Sequence, residues 1–210
     1  DNDRFGHTIL ALINSFVNFN GDYNIFAENI YKAKLAAKHF RLYQLELFAD
    51  LMVGYSYMEL NSFKKANSII YKIIKETNNN GMTTLLYVAW YVMSLLHLKE
   101  NKYDVAFGII NNSLIQLEKN NSTSEYLLML FKYNMYKVMM FKKDYEKANI
   151  CIAQANYVAQ KYGVNFVFDT DPNHYIAVEE DEEDNEVSLE EAADILGGAE
   201  GIQDNSNDSG

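Results

Sequence analysis

Cysteine and proline are almost absent from this chain, and each absence argues against a class of protein. The 210 residues include one cysteine, Cys151, and one proline, Pro172. A single cysteine cannot form an internal disulfide, so the chain is not a small disulfide-stapled secreted module, and we expect a reducing, cytoplasmic location. One proline and ten glycines are too few for a turn-rich sandwich or a collagen-like repeat. We therefore expect a helical protein.

Long hydrophobic runs and targeting signals are also missing. No apolar run reaches the length of a membrane span, so we predict no direct membrane insertion. The first residues, Asp1-Asn2-Asp3-Arg4, include neither a charged-then-apolar secretory pattern nor an initiator methionine. This start is what a fragment of a longer protein would show.

Basic residues are absent from the C-terminal part of the chain. Residues 1–163 carry 18 Lys+Arg and 14 Asp+Glu, a net charge of +4, whereas residues 164–210 carry 15 acidic residues and no basic ones, a net charge of −15; together they give −11. Such an acidic segment repels itself and cannot fold alone, so we predict a folded domain over 1–163 and a largely disordered tail over 164–210. Because the tail repels phosphates and the body's positive charge is scattered, we predict no nucleic-acid partner.

A 40-residue repeat organises residues 1–163. Four short segments each combine a polar residue or glycine with an aromatic two residues later, and their aromatics are 40, 40 and 42 residues apart. Ala66, Ala106 and Ala148 follow three of these aromatics by three residues, which lets two helices cross closely after a turn. We expect each aromatic to fill the gap at its own corner. The segments are Gly21-Asp22-Tyr23, Asn61-Ser62-Phe63, Asn101-Lys102-Tyr103 and Lys143-Asp144-Tyr145.

Apolar residues at three- and four-residue spacing surround every one of these corners. That periodicity predicts an amphipathic helix on each side, and therefore helical hairpins. A single hairpin cannot bury its apolar face, so stacked hairpins are the stable solution. The predicted pairs are residues 7–19 with 22–39, 41–60 with 62–77, 82–100 with 102–119, and 123–142 with 144–162.

The repeats resemble the tetratricopeptide repeat family over residues 7–162. In the third unit, Trp90, the pair Met93-Ser94, the corner Tyr103 and Ala106 follow the family's spacing of aromatic and small residues. The units are longer than the family's usual ~34 residues, and HEAT repeats of ~40 to 47 are the alternative. The resemblance implies an all-α fold, a right-handed superhelix of four helix hairpins, that binds proteins rather than catalyses a reaction.

The resemblance also implies a concave groove formed by the first helix of each hairpin. Aligning the units on their corner aromatics predicts a groove surface that is apolar and aromatic, which suits a helical or extended partner segment. The alternative is that many of these residues are core between long helices or a contact with a second copy of the chain. They are Phe48, Leu51, Tyr55, Met58, Tyr91, Leu95, Leu98, Tyr133, Lys137 and Met140.

The family's basic clamp for a chaperone carboxylate is not evident. The corresponding faces carry Ala11, Ser15, Leu51 and Tyr55 in place of lysine, asparagine and arginine. We therefore do not expect the chain to bind a chaperone C-terminus.

The acidic tail contains two segments of different character. Residues 164–178 include seven apolar side chains and are expected to pack on the body, as a cap on the last hairpin or, alternatively, in the groove. Residues 188–196 begin with the capping box Ser188-Leu189-Glu190-Glu191 and predict a short helix that folds when it meets a partner. The alternative is a transient helix without a partner. Its apolar face consists of Leu189, Ala192, Ala193 and Leu196.

Residues suited to catalysis or metal binding form no clear constellation. His7, His39, His97 and His174 are far apart, and His97 has the position of a packed core residue. Cys151 lies inside a predicted helix, where a small buried hydrophobe is the better interpretation than a nucleophile. A partial calcium-loop pattern lacks the glycine that its turn requires, because His174 stands there. Its ligand positions are Asp169, Asp171, Asn173, Tyr175 and Glu180.

These observations predict a non-catalytic adaptor or assembly scaffold that binds a protein segment. We predict no enzyme activity, no cofactor and no resident metal. Similarity in repeat length to bacterial peptide-sensing regulators leaves a peptide- or ligand-responsive regulatory domain as the alternative. Such regulators usually carry a helical effector domain before their repeats, and only a few residues precede the first repeat here.

Overall fold

Every secondary-structure element in the described part of the chain is an α-helix. A computed structural model describes residues 2–119, 124–164 and 168, with the side chains of residues 2–5 and 7 excepted. The all-α prediction is confirmed. The helices are α1 Asn2–Val17, α2 Tyr23–His39, α3 Tyr43–Glu59, α4 Phe63–Asn79, α5 Thr83–Lys99, α6 Tyr103–Lys119, α7 Glu125–Phe141 and α8 Tyr145–Lys161.

The helix bounds agree closely with those that the periodicity predicts. α1 begins at Asn2 instead of residue 7, and every other bound lies within two residues of its predicted position. The agreement follows from strong local signals at the turns, where polar residues and glycines interrupt the apolar pattern.

The chain forms two compact units, Asp1–Leu96 and His97–Gly210, and their boundary lies inside α5. In the first unit α1 packs on α2, α2 on α3, and α3 on α4. In the second unit α6 packs on α7, and α7 on α8. Each unit is therefore built from sequential antiparallel neighbours. The predicted boundary near Gly163 stays a prediction, because the structure describes only Val164 and Phe168 beyond it.

Six of the described helices end in the same turn geometry. In each of these turns the residue after the C-cap is left-handed, with φ between 56° and 65°. The six residues are Arg41, Asn61, Gly81, Asn101, Lys143 and Gly163. The next residue donates its N–H to the carbonyl five positions back, which is a Schellman motif. These bonds measure 2.8 to 2.9 Å and join Leu42 to Ala37, Ser62 to Tyr57, Met82 to Thr77, Lys102 to His97, Asp144 to Met139, and Val164 to Ala159.

This turn and the uniform helix length together account for the 40-residue period of the repeats. The helices α2 to α8 each contain 17 residues, and most are followed by three turn residues. A helix and its turn make a 20-residue module, and two modules make the 40-residue repeat. The same turn is used within hairpins, as at Asn61, and between hairpins, as at Arg41 and Gly81.

The small residues predicted to permit close helix crossing are buried. Ala66, Ala106 and Ala148 are each 0% exposed. A related close approach occurs where α3 meets α4, because a Cβ atom added at Gly54 would lie 3.1 Å from Ile70 Cγ1 and 3.2 Å from Ile69 Cγ2. The hairpin therefore tolerates only a very small residue at position 54.

The corner aromatics do not all fill their own corners, which corrects that expectation. The ring of Tyr23 does fill its own corner, 4.9 Å from that of Phe19, and also lies 6.1 Å from that of Tyr55. The ring of Tyr103 stacks 3.9 Å from that of Phe141. Tyr55 and Phe141 belong to the first helix of the following hairpin, so Tyr23 and Tyr103 join neighbouring hairpins. Tyr145, in the last described hairpin, is instead 56% exposed.

Replacing Gly54 with valine is expected to destabilise the protein by about 1–3 kcal/mol, because the added atoms overpack the contact with Ile69 and Ile70. Gly108, on α6, is the matched control, since a Cβ atom there meets nothing within 4 Å. Gly108→Ala should raise stability by about 0.5–1 kcal/mol through helix propensity. Urea denaturation measures both changes, and equal stability of Gly54→Val and the wild type would contradict the close approach.

Replacing Arg41 with glycine is expected to stabilise the protein by about 0.5–1 kcal/mol, because glycine adopts a φ of 60° without the steric cost that a Cβ atom imposes. Lys38, exposed in the last turn of α2, provides the control. Lys38→Gly should cost about 1 kcal/mol. Destabilisation by both changes, measured by thermal or urea unfolding, would argue against the left-handed turn.

Candidate functional site

The predicted groove residues of the first unit divide into surface and core. Phe48 and Tyr55 on α3, and Tyr91 and Leu95 on α5, are half-buried and present part of their side chains to solvent. Two others on α3 are fully buried: Leu51 is 0% exposed and Met58 is 1% exposed. Because α3 packs against both α2 and α4, one face of it is enclosed. Leu51 and Met58 therefore belong to the core, as the alternative interpretation holds, and offer no surface to a partner.

A cavity of about 600 Å³ lies beside Phe48 in the first unit. Apolar side chains from the N-terminal halves of α3 and α5 form much of its wall. Leu45 and Val88 were missed by the sequence prediction, although each lies three residues before a predicted groove residue on the same helix, Phe48 and Tyr91. Extending the predicted face by one turn would have found them. The cavity is lined by Gln44, Leu45, Phe48, Gly81, Met82, Thr83, Thr84, Leu85 and Val88.

Tyr55 is held at the edge of an aromatic cluster. Its ring lies 6.1 Å from that of Tyr23, at an interplanar angle of 64°. The pKa of Tyr55 lies well above its usual value, mainly because the side chain is buried and also because the carboxylate of Glu59 is close by. The hydroxyl is therefore neutral at physiological pH, and Tyr55 presents a rigid ring with a hydrogen-bonding tip.

The second unit contains the remaining four predicted groove residues. Leu98 and Lys137 are half-buried, whereas Tyr133 is 7% exposed and Met140 is 9% exposed. The ammonium group of Lys137 lies 4.5 Å from the centroid of the Tyr133 ring, and Tyr136 stacks on Tyr133 at 6.2 Å. Tyr136 is 3% exposed and belongs to the core, so α7 offers here the edge of the Tyr133 ring with a positive charge over it.

An aromatic side chain from the tail contacts this surface. The ring of Phe168 lies 4.8 Å from that of Tyr133, at an interplanar angle of 50°. Phe168 is itself half-buried. Tyr133 is thus brought together with a residue that the sequence analysis assigned to the apolar segment 164–178.

The residues considered for catalysis are in environments typical of structural residues. His97 is buried, with Nδ1 3.2 Å from a carboxylate oxygen of Glu100, as expected for a packed histidine. Burial raises the pKa of the half-buried Cys151 thiol above its usual value, so the thiol is protonated at neutral pH. Within residues 2–119, 124–164 and 168, no three His, Cys, Asp or Glu side chains form a group that could hold a metal ion.

Several sequence predictions fall outside the described residues. These are the break at residues 120–123, the calcium-like pattern from Asp169 to Glu180, and His174. The predicted tail helix over 188–196 also falls there, with its apolar face of Leu189, Ala192, Ala193 and Leu196.

None of the helices described above combines the length and the apolar character required to cross a bilayer. No protein-family model matches the chain, and neither a curated protein nor a solved structure is significantly similar to it.

Truncating a core residue of the predicted groove is expected to cost more stability than truncating a surface residue. Leu51→Ala is expected to lower the free energy of unfolding by about 2–5 kcal/mol, because it leaves a cavity at a fully buried position. Leu95→Ala removes the same atoms from a half-buried position and should cost about 1 kcal/mol or less. Denaturant unfolding compares the two, and an equal loss at Leu95 would place that residue in the core.

Proposed function

We propose that this chain is a tetratricopeptide-like, non-catalytic interaction module, an adaptor or assembly scaffold that binds a protein segment along the first helices of its hairpins. The cavity beside Phe48 carries this proposal. Its wall combines apolar side chains of α3 and α5 with a few polar ones, and that combination is typical of recognition sites.

The chemistry of the cavity wall favours an extended or helical apolar segment as the ligand. Leu45, Phe48 and Val88 provide the apolar contact. Gln44 and Thr84 provide groups that can hydrogen-bond to a partner's backbone or polar side chains. Half-buried aromatic residues nearby, Tyr55 and Tyr91, would extend the contact along the same helices.

A second candidate function is a regulatory domain that responds to a small peptide or another small ligand. The cavity's volume of about 600 Å³ favours this candidate, because it is within the range of roughly 300–1,000 Å³ found for small-molecule sites. The two candidates use the same surface and differ in the size of the ligand.

The proposal includes the absence of catalysis and of a cofactor. The raised pKa of Cys151 supports it, because a protonated thiol is a poor nucleophile. The burial of His97 beside Glu100 supports it as well, because a packed side chain cannot reach a substrate.

Affinity capture from a lysate of the source cells, followed by reconstitution with the purified partner, tests the proposal. The groove variant combines Tyr55→Ser, Tyr91→Ser and Leu95→Ser. The control variant changes the same residue types on the second helices of the same unit, at Tyr31, Leu35 and Tyr71, which are 52%, 49% and 41% exposed. Circular dichroism confirms that both variants are folded.

We expect the wild type and the control variant to retain a protein that the groove variant loses, with affinity reduced at least about tenfold in the reconstituted pair. Equal recovery on all three chains, or recovery on none, would contradict the interaction module. Binding of a short peptide alone, lost in the groove variant, would favour the regulatory candidate.

A further inference from the structure

Phe168 and Tyr133 form an aromatic pair across a long stretch of sequence. Their ring centroids are 4.8 Å apart at 50°, a tilted arrangement within the favourable range for aromatic contacts. Tyr133 belongs to the predicted groove, and Phe168 belongs to the apolar segment 164–178. The contact therefore brings Phe168 onto α7 of the last hairpin, at a residue of the predicted groove, and both the cap and the groove alternative include such a contact.

The surroundings of Tyr133 match the chemistry of the chain that follows Phe168. Lys137 places its ammonium group 4.5 Å from the Tyr133 ring centroid. Asp169 and Asp171 follow Phe168 in the sequence, and residues 164–210 have a net charge of −15 against +4 for residues 1–163. An aromatic side chain followed by carboxylates thus suits a surface that combines an aromatic ring with a cation.

The covalent connection keeps Phe168 close to this surface. The N–H of Val164 donates to the carbonyl of Ala159 at 2.9 Å, which fixes Val164 at the end of α8. Phe168 is four residues farther on, a span of at most about 14 Å. α8 packs on α7, the helix that carries Tyr133. A tether this short gives an effective concentration on the order of millimolar.

We propose that the α7 surface formed by Tyr133 and Lys137 is a docking position for an aromatic side chain followed by acidic residues. Phe168 of the same chain occupies this position in the isolated protein. Phe168 is therefore an intramolecular ligand of the α7 surface.

A partner that binds this surface competes with Phe168. An external segment that uses this surface must displace Phe168, so its apparent Kd is the intrinsic Kd divided by the fraction of chains in which the position is free. This consequence rests on the proposed function, whereas the docking of Phe168 does not. A partner with an aromatic residue and adjacent carboxylates is the kind that the surface fits.

A peptide-binding experiment on the full chain tests the docking position. The probe is a fluorescein-labelled peptide of residues 164–178, and its fluorescence anisotropy is measured with the wild type and with Phe168→Ser. If the intrinsic Kd is about 100 µM, a millimolar effective concentration leaves about a tenth of the wild-type positions free. We therefore expect Phe168→Ser to bind the peptide about tenfold more tightly than the wild type.

Three controls make the result specific. Tyr157→Ser removes an aromatic side chain that is 68% exposed on α8 and should bind the peptide as weakly as the wild type. A peptide that carries Phe168→Ser should not bind. Lys137→Glu, added to the Phe168→Ser chain, should weaken binding because it reverses the charge above Tyr133. This substitution tests the surface without truncating Tyr133, which is nearly buried.

Equal affinity of the wild type and Phe168→Ser for the peptide would overturn the proposal. So would failure of the peptide to bind Phe168→Ser, or binding unchanged by Lys137→Glu in a folded chain. Because the probe is the chain's own segment, these outcomes do not depend on an external partner. A failed capture experiment would reject the proposed function and leave this measurement unaffected.

Discussion

A left-handed residue after six of the described helices is the constraint on which the rest of the structure depends. At Asn61, Gly81 and Asn101, as at the equivalent turns, a φ near 60° ends the helix and a hydrogen bond from the next residue closes it. The chain then reverses within three residues, so helices joined by this turn within a unit pack as antiparallel neighbours, as α2 with α3, α3 with α4 and α7 with α8 do. Asparagine and glycine suit this conformation, whereas Arg41 and Lys143 adopt it at a steric cost that helix packing offsets.

Close helix packing sorts the apolar residues into core and surface. Gly54 and Ala66 let α3 and α4 approach closely, and α3 also packs on α2. The apolar face of α3 is therefore wide enough to pack against two helices. Leu51 and Met58 are enclosed, while Phe48 is left at the edge of a cavity. The candidate binding surface consists of apolar residues that the packing of the repeats does not cover.

The candidate surface was predictable only as a helix face. Aligning the repeats on their corner aromatics placed Phe48, Tyr91 and Tyr133 on one face of the first helices, since residues three and four apart share a face. It could not separate Tyr91, which is half-buried, from Leu51, which is fully buried, since both are apolar and both fit the same period. It also stopped one turn short of Leu45 and Val88. Which part of a face stays exposed depends on the neighbouring helices, and sequence spacing contains no information about them.

The sequence by itself determined the helical class, the positions of the helices and the 40-residue repeat, because turn residues and apolar periodicity are local properties of the chain. Only the tertiary structure decided that Leu51 and Met58 are core, that Tyr103 stacks on Phe141 of the following hairpin, and that Phe168 meets Tyr133. Each of these outcomes depends on contacts between residues that are distant in sequence. Such contacts depend on how helices are placed against each other in space, and local pattern cannot specify that placement.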